Sequence, residues 1–391
     1  MPGRAVFKRA MHHDKIASTH PSKPRQIKSL TGIRGVAAAW VVLFHIQFIG
    51  AVNGFQIILP GYRLINSGWT GVDLFFMLSG FMLMHTHANQ FDRIDRDGLW
   101  SFAISRFFRI YPLNAIVLLL IALLLLSYPG FSSNFRNLST GNLSISSFLS
   151  TLFLATRWFP CQGNWNEPVW SLSAEILGYA AFPFLALMIG KISSFRGAAY
   201  VSIITIVSVL IAQFAKGRLG DNDIDWPGAL IRMAGYFSAG VALRRAAELW
   251  TPQASQLTMG AISLIASATL AVLTLLPAGG GIMPLAEAVL IFSLYFECGI
   301  INRLLSSQPA MFLGKISFPL YLLHVMPILA ANYFSRIHKV TDLVYHAIII
   351  ITLAAVIAIS WILHRLVERR AHSFSQTFGR PLYSSVGIAR T

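Results

Sequence analysis

Long apolar runs recur along the whole chain, and they constrain its fold more than any other feature. A helix needs about 20 mostly apolar residues to cross a bilayer, and lipid offers no partner to unpaired backbone groups. Of the 391 residues, 55% are hydrophobic and 12% are charged, whereas about a quarter of a soluble domain is charged. The chain is therefore predicted to be all-α, a polytopic integral membrane helical bundle.

Eleven apolar runs lie at 33–50, 69–88, 110–128, 145–158, 169–190, 198–214, 228–243, 258–276, 282–299, 316–335 and 343–364. Lys and Arg concentrate in cytoplasmic loops. If the N-terminus is cytoplasmic and 145–158 does not cross, several basic groups fall inside. These are Lys191, Arg196, Arg244, Arg245, Arg303, Lys315, Arg365, Arg369 and Arg370. We predict about ten transmembrane helices, both termini cytoplasmic, and 145–158 as one re-entrant or interfacial segment.

The net charge of +16 is distributed between the apolar runs, which favours a lipid bilayer as the partner and not nucleic acid. A disordered basic cytoplasmic tail is predicted at 1–28, a membrane domain at 29–370 and a cytoplasmic C-terminal tail at 371–391. The two cysteines, Cys161 and Cys298, have no metal-type spacing, so no metal is expected.

One stretch of the first run, Leu30–His45, carries Arg34 and His45. The two residues are about three helical turns apart, or ~16 Å along the axis, and share nearly one face. Ionisable groups inside a membrane suggest a functional site. Asp73 and Glu175 are predicted to lie within ~5 Å of the depth of His45. A histidine beside carboxylates suits general base catalysis; the alternative is that each group bonds a neighbouring helix.

Arginines at one membrane face form a second candidate feature. Arg106 and Arg109 are one turn apart at a helix start, and Arg34 is at the same face. They could bind the phosphates of an anionic cytosolic ligand, or anchor the protein to anionic lipid. His324, in the run 316–335, could line a tunnel for that ligand or be a packing histidine.

The region 129–168 is the largest predicted outer feature. Trp165, Asn166 and Trp170 lie in or just after it, with Ser171 following. Aromatic faces beside amides suit the stacking and hydrogen bonding of a sugar, so these four residues are candidates for binding a glycan. An aromatic belt at the membrane interface is the alternative.

Five motifs together resemble the membrane acyltransferase 3 family. They are LTGIRGVAAAWVVLFH, GVDLFFMLSGF, RFFRIYP, WSLSAE and ISFPLYLLH, in the family's order from Leu30 to Arg370. The chain is similar to stand-alone O-acetyltransferases of polysaccharide or lipopolysaccharide. Two positions depart from the pattern, Thr31 and Ile176, where many members carry an acid.

The resemblance implies acetyl-CoA or another acyl-CoA as donor, a glycan or lipid-linked sugar as acceptor, and a bacterial inner membrane as the location. By motif match, His45 and Arg34 would be catalytic, with Asp73 and Glu175 as partners. Arg34, Arg106 and Arg109 would bind the cofactor, with Ser79 and His324 as further cofactor-binding candidates.

Two questions stay open at the sequence level. Transfer could be direct, with His45 as general base, or could pass through an acyl-histidine. The alternative function is a proton-coupled transporter of a glycolipid or small anion, with His45, Asp73 and Glu175 as a proton relay.

Overall fold

The computed structural model describes residues 25–52, 54–55, 61–138, 143–160, 163–250, 256–276 and 279–379, in which every regular element is helical. Residues 1–24 of the tail predicted at 1–28 lie outside the described residues, as does Cys161. The helices are α1 (Lys28–Val52), α2 (Tyr62–Asn66), α3 (Gly71–His87), α4 (Arg96–Ser127), α5 (Pro129–Leu138), α6 (Ile145–Leu152), α7 (Val169–Gly190), α8 (Phe195–Ala215), α9 (Gly228–Leu249), α10 (Gln256–Leu273), α11 (Gly279–Tyr295), α12 (Gly299–Leu305), α13 (Gln308–Leu323), α14 (Val325–Ile337), α15 (Asp342–Leu363) and α16 (Arg369–Phe378).

Seven helices in the described part of the chain are long and apolar enough to cross a membrane, or nine if two bent helix pairs are each counted as one span. The prediction of an all-helical membrane bundle is therefore confirmed, whereas the count of about ten crossings is not. α9, one of the predicted ten, is 22 residues long but contains Arg232, Arg244 and Arg245. The run 145–158 forms only the eight-residue α6 and a series of turns, too short to cross as a helix.

Helix crossings in the centre of the bundle are made at glycines. α1 crosses α13 at Gly35 and Gly314, and α3 crosses α9 at Gly80 and Gly240. A Cβ atom at any of these four positions would overlap the backbone of the facing helix. Small residues let helix backbones approach closely. The glycines therefore hold α1 against α13 and α3 against α9, and they fix which residues of each pair of helices face each other.

The predicted crossing at 316–335 is two helices, because the axis bends by 56° between α13 and α14. Pro327 is the third residue of α14. It has no backbone N–H, and its ring clashes with the carbonyl four residues earlier, which breaks a continuous helix there. His324 is the residue at the break.

Two helices extend beyond their apolar runs. α4 begins at Arg96, where the Asp95 side chain accepts a hydrogen bond from Gly98 N and caps the first turn. At the other end of the chain, α15 continues through a π-helical turn into α16, which packs against α4. The predicted boundary at 370/371 falls inside α16, so the ordered bundle extends into the predicted tail, as far as the described residues go.

Candidate active site

A cavity of about 830 Å³ lies between α1, α3, α4, α7, α13 and α16. Ligand pockets in proteins measure about 300–1,000 Å³, so this cavity has the volume of a small-molecule site. Gln376 of α16 and Gly379, the residue that follows α16, line one end, together with Ser101 near the start of α4. We call this the basic end, because Arg106 and Arg109 of α4 lie beside it. Ser171 of α7 lies farther in.

Charged groups in the cavity lining favour an anion. Arg34, Arg106 and Arg109 all line it, together with the carboxylates of Glu175 and Glu368. Three guanidinium groups against two carboxylates leave one net positive charge. In a site shielded from water such a charge interacts with a ligand more strongly than at an open surface. The predicted arginine cluster is therefore present as one lining surface.

Glu175 organises the middle of the cavity. Its Oε1 accepts hydrogen bonds from the Ser79 hydroxyl and, at 2.8 Å, from the Tyr179 hydroxyl. The guanidinium of Arg106 lies 5.9 Å from the centre of the Tyr179 ring, at cation–π distance. The predicted residues Ser79 and Glu175 thus form one polar group, to which Tyr179 adds.

Arg109 is held at the basic end. Its guanidinium forms an ion pair with Glu368, which is 7% exposed, and lies over the Phe318 ring. His364 Nδ1 is 2.7 Å from the other carboxylate oxygen of Glu368. One of the three arginines is therefore already paired with an acid, whereas the Arg34 side chain forms no hydrogen bond within the described residues.

Two hydroxyl groups lie at the end of the cavity away from the basic end. The oxygens of Ser171 and Tyr321 are 2.7 Å apart, and both residues line the cavity. The Tyr321 ring packs edge-on against Phe75 at 5.8 Å. Its other neighbour is His324, with ring centroids 5.9 Å apart.

His45 and His324 contact each other beyond Tyr321. Nδ1 of His45 is 3.2 Å from Nε2 of His324 and 2.9 Å from the carbonyl oxygen of Val41. Nδ1 of His324 is 2.7 Å from the carbonyl oxygen of Tyr321. A carbonyl only accepts hydrogen bonds, so we assign the proton of each neutral ring to Nδ1. Nε2 of His45 then has a free lone pair, and Nε2 of His324 accepts from His45.

His324, for which the sequence left a tunnel-lining role and a packing role open, lies outside this cavity. Neither His324 nor His45 is among the described residues that line the cavity. α13 begins at Gln308, earlier than predicted, and the helix break then places His324 beside His45.

Asp73 belongs to a separate network. Its Oδ1 accepts from Arg232 Nη2 at 2.8 Å and from Nε at 3.0 Å, and both side chains are almost fully buried. The Arg232 guanidinium lies 5.4 Å from the rings of both Trp69 and Trp170. Within the described residues, no hydrogen bond joins Asp73 or Glu175 to His45. The expected partnership of His45 with a carboxylate is replaced by a partnership with His324.

The predicted glycan-binding residues are occupied by internal contacts. The Trp165 indole N–H donates to Ser144 O at 3.2 Å, and its ring packs on Phe148. Trp165 and Trp170 are 9% and 5% exposed, so neither ring has a face open to a sugar in this structure. Asn166 Nδ2 donates to Leu322 O. Ser171 alone of the four lines the cavity.

Sequence reasoning missed Arg232, Tyr179 and Tyr321. Arg232 is a charge inside an apolar run, which is itself a signal of function or of a buried pair. Tyr179 lies one turn after Glu175, the spacing at which helical side chains meet. Tyr321 lies inside the motif ISFPLYLLH. Glu368 directly precedes Arg369 and Arg370 in the sequence, and its pairing with Arg109 depends on the tertiary structure.

Comparison with known proteins gives three informative relatives. Acyltransferase MdmB of Streptomyces mycarofaciens is 29% identical over 175 residues, 44% of this chain and 42% of that protein. "Putative O-acetyltransferase SACOL0978" of Staphylococcus aureus is 23% identical over 337 residues, 78% of this chain and 51% of that protein. Protein 2 in the picA locus of Rhizobium radiobacter is 32% identical over 173 residues, 41% of this chain and 83% of that protein.

The chain spans about half the length of the first two of these relatives. No solved structure matches it. The family profile described as an acyltransferase domain matches residues 27–365, nearly the whole chain. With its apolar helices this match confirms the family predicted from the five motifs: the protein is an integral membrane member of the acyltransferase 3 family.

Proposed function

We propose that the protein is a membrane-bound O-acyltransferase. It would move an acyl group, acetyl in the simplest case, from acyl-CoA to a hydroxyl of an extracytoplasmic glycan or glycolipid. One observation carries the proposal: a single cavity extends from three arginines to Tyr321, which contacts His324 and through it His45. Such a cavity suits a donor with phosphates at one end and a reactive carbonyl at the other.

The donor would enter at the basic end. Its phosphates would accept charge-assisted hydrogen bonds from Arg34, Arg106 and Arg109. A guanidinium group can donate two parallel hydrogen bonds to one phosphate, which suits it to this role. The thioester would then lie near Ser171 and Tyr321. The concentration of Lys and Arg in the loops supports a cytoplasmic basic end, so that donor and acceptor approach from opposite sides.

His45 would act as the general base. Its Nε2 would take the proton from the acceptor hydroxyl as the oxygen attacks the thioester carbonyl carbon. When the tetrahedral intermediate collapses, the carbon–sulfur bond breaks and the thiolate of coenzyme A recovers that proton. Direct transfer requires only His45 in its neutral form; an acyl-histidine intermediate would use the same nitrogen as nucleophile.

His324 would position this base. The Nδ1–H of His45 lies between Val41 O and Nε2 of His324, at 2.9 and 3.2 Å. Both acceptors favour the tautomer with an unprotonated Nε2, and both stabilise the imidazolium formed during the reaction. A second, neutral imidazole thus takes the place that a carboxylate occupies in many catalytic triads.

Transfer is tested in membrane vesicles from the native host, which retain the endogenous acceptor, with acetyl-CoA labelled in its acetyl group. Wild-type protein is expected to move label into the glycan or glycolipid fraction. His45→Ala is expected to lower the rate by at least about 100-fold, because it removes the general base. The matched control is His338→Ala, at an exposed histidine beyond α14, which should retain the wild-type rate.

Two outcomes would contradict the proposal. Full transfer by the His45→Ala variant would remove His45 from the reaction. Flux of a glycolipid or anion driven by a pH gradient, with no release of coenzyme A from wild-type vesicles, would favour the transporter alternative.

A further inference from the structure

We propose that Tyr321 is a further catalytic residue, whose phenolic hydroxyl donates a hydrogen bond to the thioester carbonyl oxygen as negative charge develops there. The proposal rests on the acyl transfer proposed above. Tyr321 lies inside the motif ISFPLYLLH, but the resemblance implied no role for it, and the proposal gives it one as a hydrogen-bond donor to the reacting carbonyl.

Tyr321 is placed where such a donor is needed. Its side chain lines the cavity, 2.7 Å from the Ser171 hydroxyl. On its other side, its ring lies 5.9 Å from that of His324, which is 4.8 Å from the ring of His45. The phenol is thus a polar group of the cavity lining that lies on α13 one turn before His324, the member of the histidine pair at the end of that helix.

The phenolic proton is available for donation. Ser171 Oγ lies 3.1 Å from the carbonyl oxygen of Pro168, to which its hydroxyl donates. Because that carbonyl can only accept, the Ser171 oxygen is left to accept from Tyr321. A carbonyl oxygen arriving at the end of the cavity can replace Ser171 as the acceptor of the phenolic proton, at the usual oxygen–oxygen distance of about 2.7 Å.

The chemistry of the step requires such a donor. As the acceptor oxygen forms its bond to the carbonyl carbon, the electron pair of the C=O double bond moves to oxygen. Tyr321 would stabilise this oxyanion until the carbon–sulfur bond breaks and the double bond re-forms. Removing one hydrogen-bond donor from a developing oxyanion lowers kcat by about 100- to 1,000-fold, and tyrosine is among the side chains that act as such donors.

The competing explanation is structural, because the Tyr321–Ser171 hydrogen bond also ties α13 to α7. Tyr321→Phe separates the two roles, since it keeps the ring that packs on Phe75 and His324 and removes only the hydroxyl. Tyr345→Phe is the matched control. It also removes a buried phenolic donor, here 2.9 Å from Asn332 Oδ1, but Tyr345 is not among the described residues that line the cavity.

The experiment measures kcat and KM for labelled acetyl-CoA in vesicles, normalised to folded protein. Tyr321→Phe is expected to lower kcat by about 100-fold or more with KM for acetyl-CoA nearly unchanged. Tyr345→Phe is expected to keep the wild-type kcat even if its thermal unfolding midpoint falls. If the Tyr321→Phe protein does not accumulate, a second variant with 3-fluorotyrosine at position 321 is measured in its place. The phenol of 3-fluorotyrosine is more acidic and therefore a stronger hydrogen-bond donor, so this variant is expected to raise kcat several-fold.

The outcomes separate the two proposals. A wild-type protein that transfers label, with a Tyr321→Phe kcat within twofold of wild type, would overturn the role of Tyr321 and leave the proposed function standing. An unchanged kcat with 3-fluorotyrosine would do the same. A wild-type protein without transfer would overturn both.

Discussion

Nδ1 of His45 in α1 lies 3.2 Å from Nε2 of His324 at the break between α13 and α14. The two residues are 279 positions apart in the sequence. Each ring is also held by a backbone carbonyl of its own helix, so the orientation of the pair is determined by two helices and their crossing.

This relationship predicts how His324 affects catalysis. His324→Ala is expected to lower kcat by about 10- to 100-fold, because His45 loses a partner that stabilises its charged form. KM for acetyl-CoA should hardly change, since His324 does not line the cavity. His324→Gln offers a carbonyl oxygen near the position of Nε2 and should retain more activity than His324→Ala. An effect confined to KM would instead assign His324 to donor binding.

Glu368 is predicted to weaken donor binding. Its carboxylate pairs with Arg109 at the basic end, where it competes with a phosphate for the guanidinium. Glu368→Gln is expected to lower the Kd for acetyl-CoA about three- to tenfold, since charge-assisted hydrogen bonds are worth about 1.5–3 kcal/mol before compensation. Glu248→Gln is the control, because Glu248 is a half-exposed partner of Arg244 and Arg245 outside the cavity lining. Weaker binding by Glu368→Gln would contradict the prediction.

The Asp73–Arg232 pair is predicted to matter for stability. Asp73→Asn leaves the guanidinium of Arg232 without its ion partner in the interior, which typically costs about 3–5 kcal/mol. The exposed pair Arg218–Asp221 gives the control, and Asp221→Asn should leave the thermal unfolding midpoint in detergent unchanged. Replacing both buried partners, as Asp73→Leu with Arg232→Met, should restore part of the loss. Equal midpoints for Asp73→Asn and wild type would show that the pair is dispensable.

The glycine crossing of α1 and α13 is predicted to tolerate no side chain. A Cβ at Gly35 would lie 2.6 Å from the carbonyl carbon of Leu313, so Gly35→Ala must push the two helices apart, at about 1–3 kcal/mol. Activity should fall as well, because the same crossing positions His45 against His324. Gly190→Ala at the end of α7 meets no atom within 4 Å and should cost no stability. Equal unfolding midpoints for the two variants would contradict this account.

A pH dependence is predicted for the segment before α7. Burial raises the pKa of Glu167 above its ordinary value of 4.5, although Arg157 opposes the shift. The folded state therefore keeps the proton to higher pH than the unfolded chain does. Its stability should fall as pH rises from about 4.5 through the raised pKa, and level off above it. Glu167→Gln should flatten this slope in unfolding measurements; an unaltered slope would assign the dependence to other groups.

The amino-acid sequence by itself predicted the class of protein, most helix positions and the family. Those features depend on local composition: apolar length determines which segments can form membrane helices. Motif spacing placed Arg34 and His45 on one helix and Arg106 and Arg109 on another. The cavity lining contains three of these four residues.

Which side chains meet was decided only by the tertiary structure. Equal depth suggested that His45, Asp73 and Glu175 act together, but depth along a helix says nothing about the direction in which a side chain faces a neighbour. Glycine crossings and the break at His324 set those directions, and they pair His45 with His324, Asp73 with Arg232 and Glu175 with Ser79. The sequence thus determined the helices and their chemistry, whereas the contacts between helices determined the arrangement of the site.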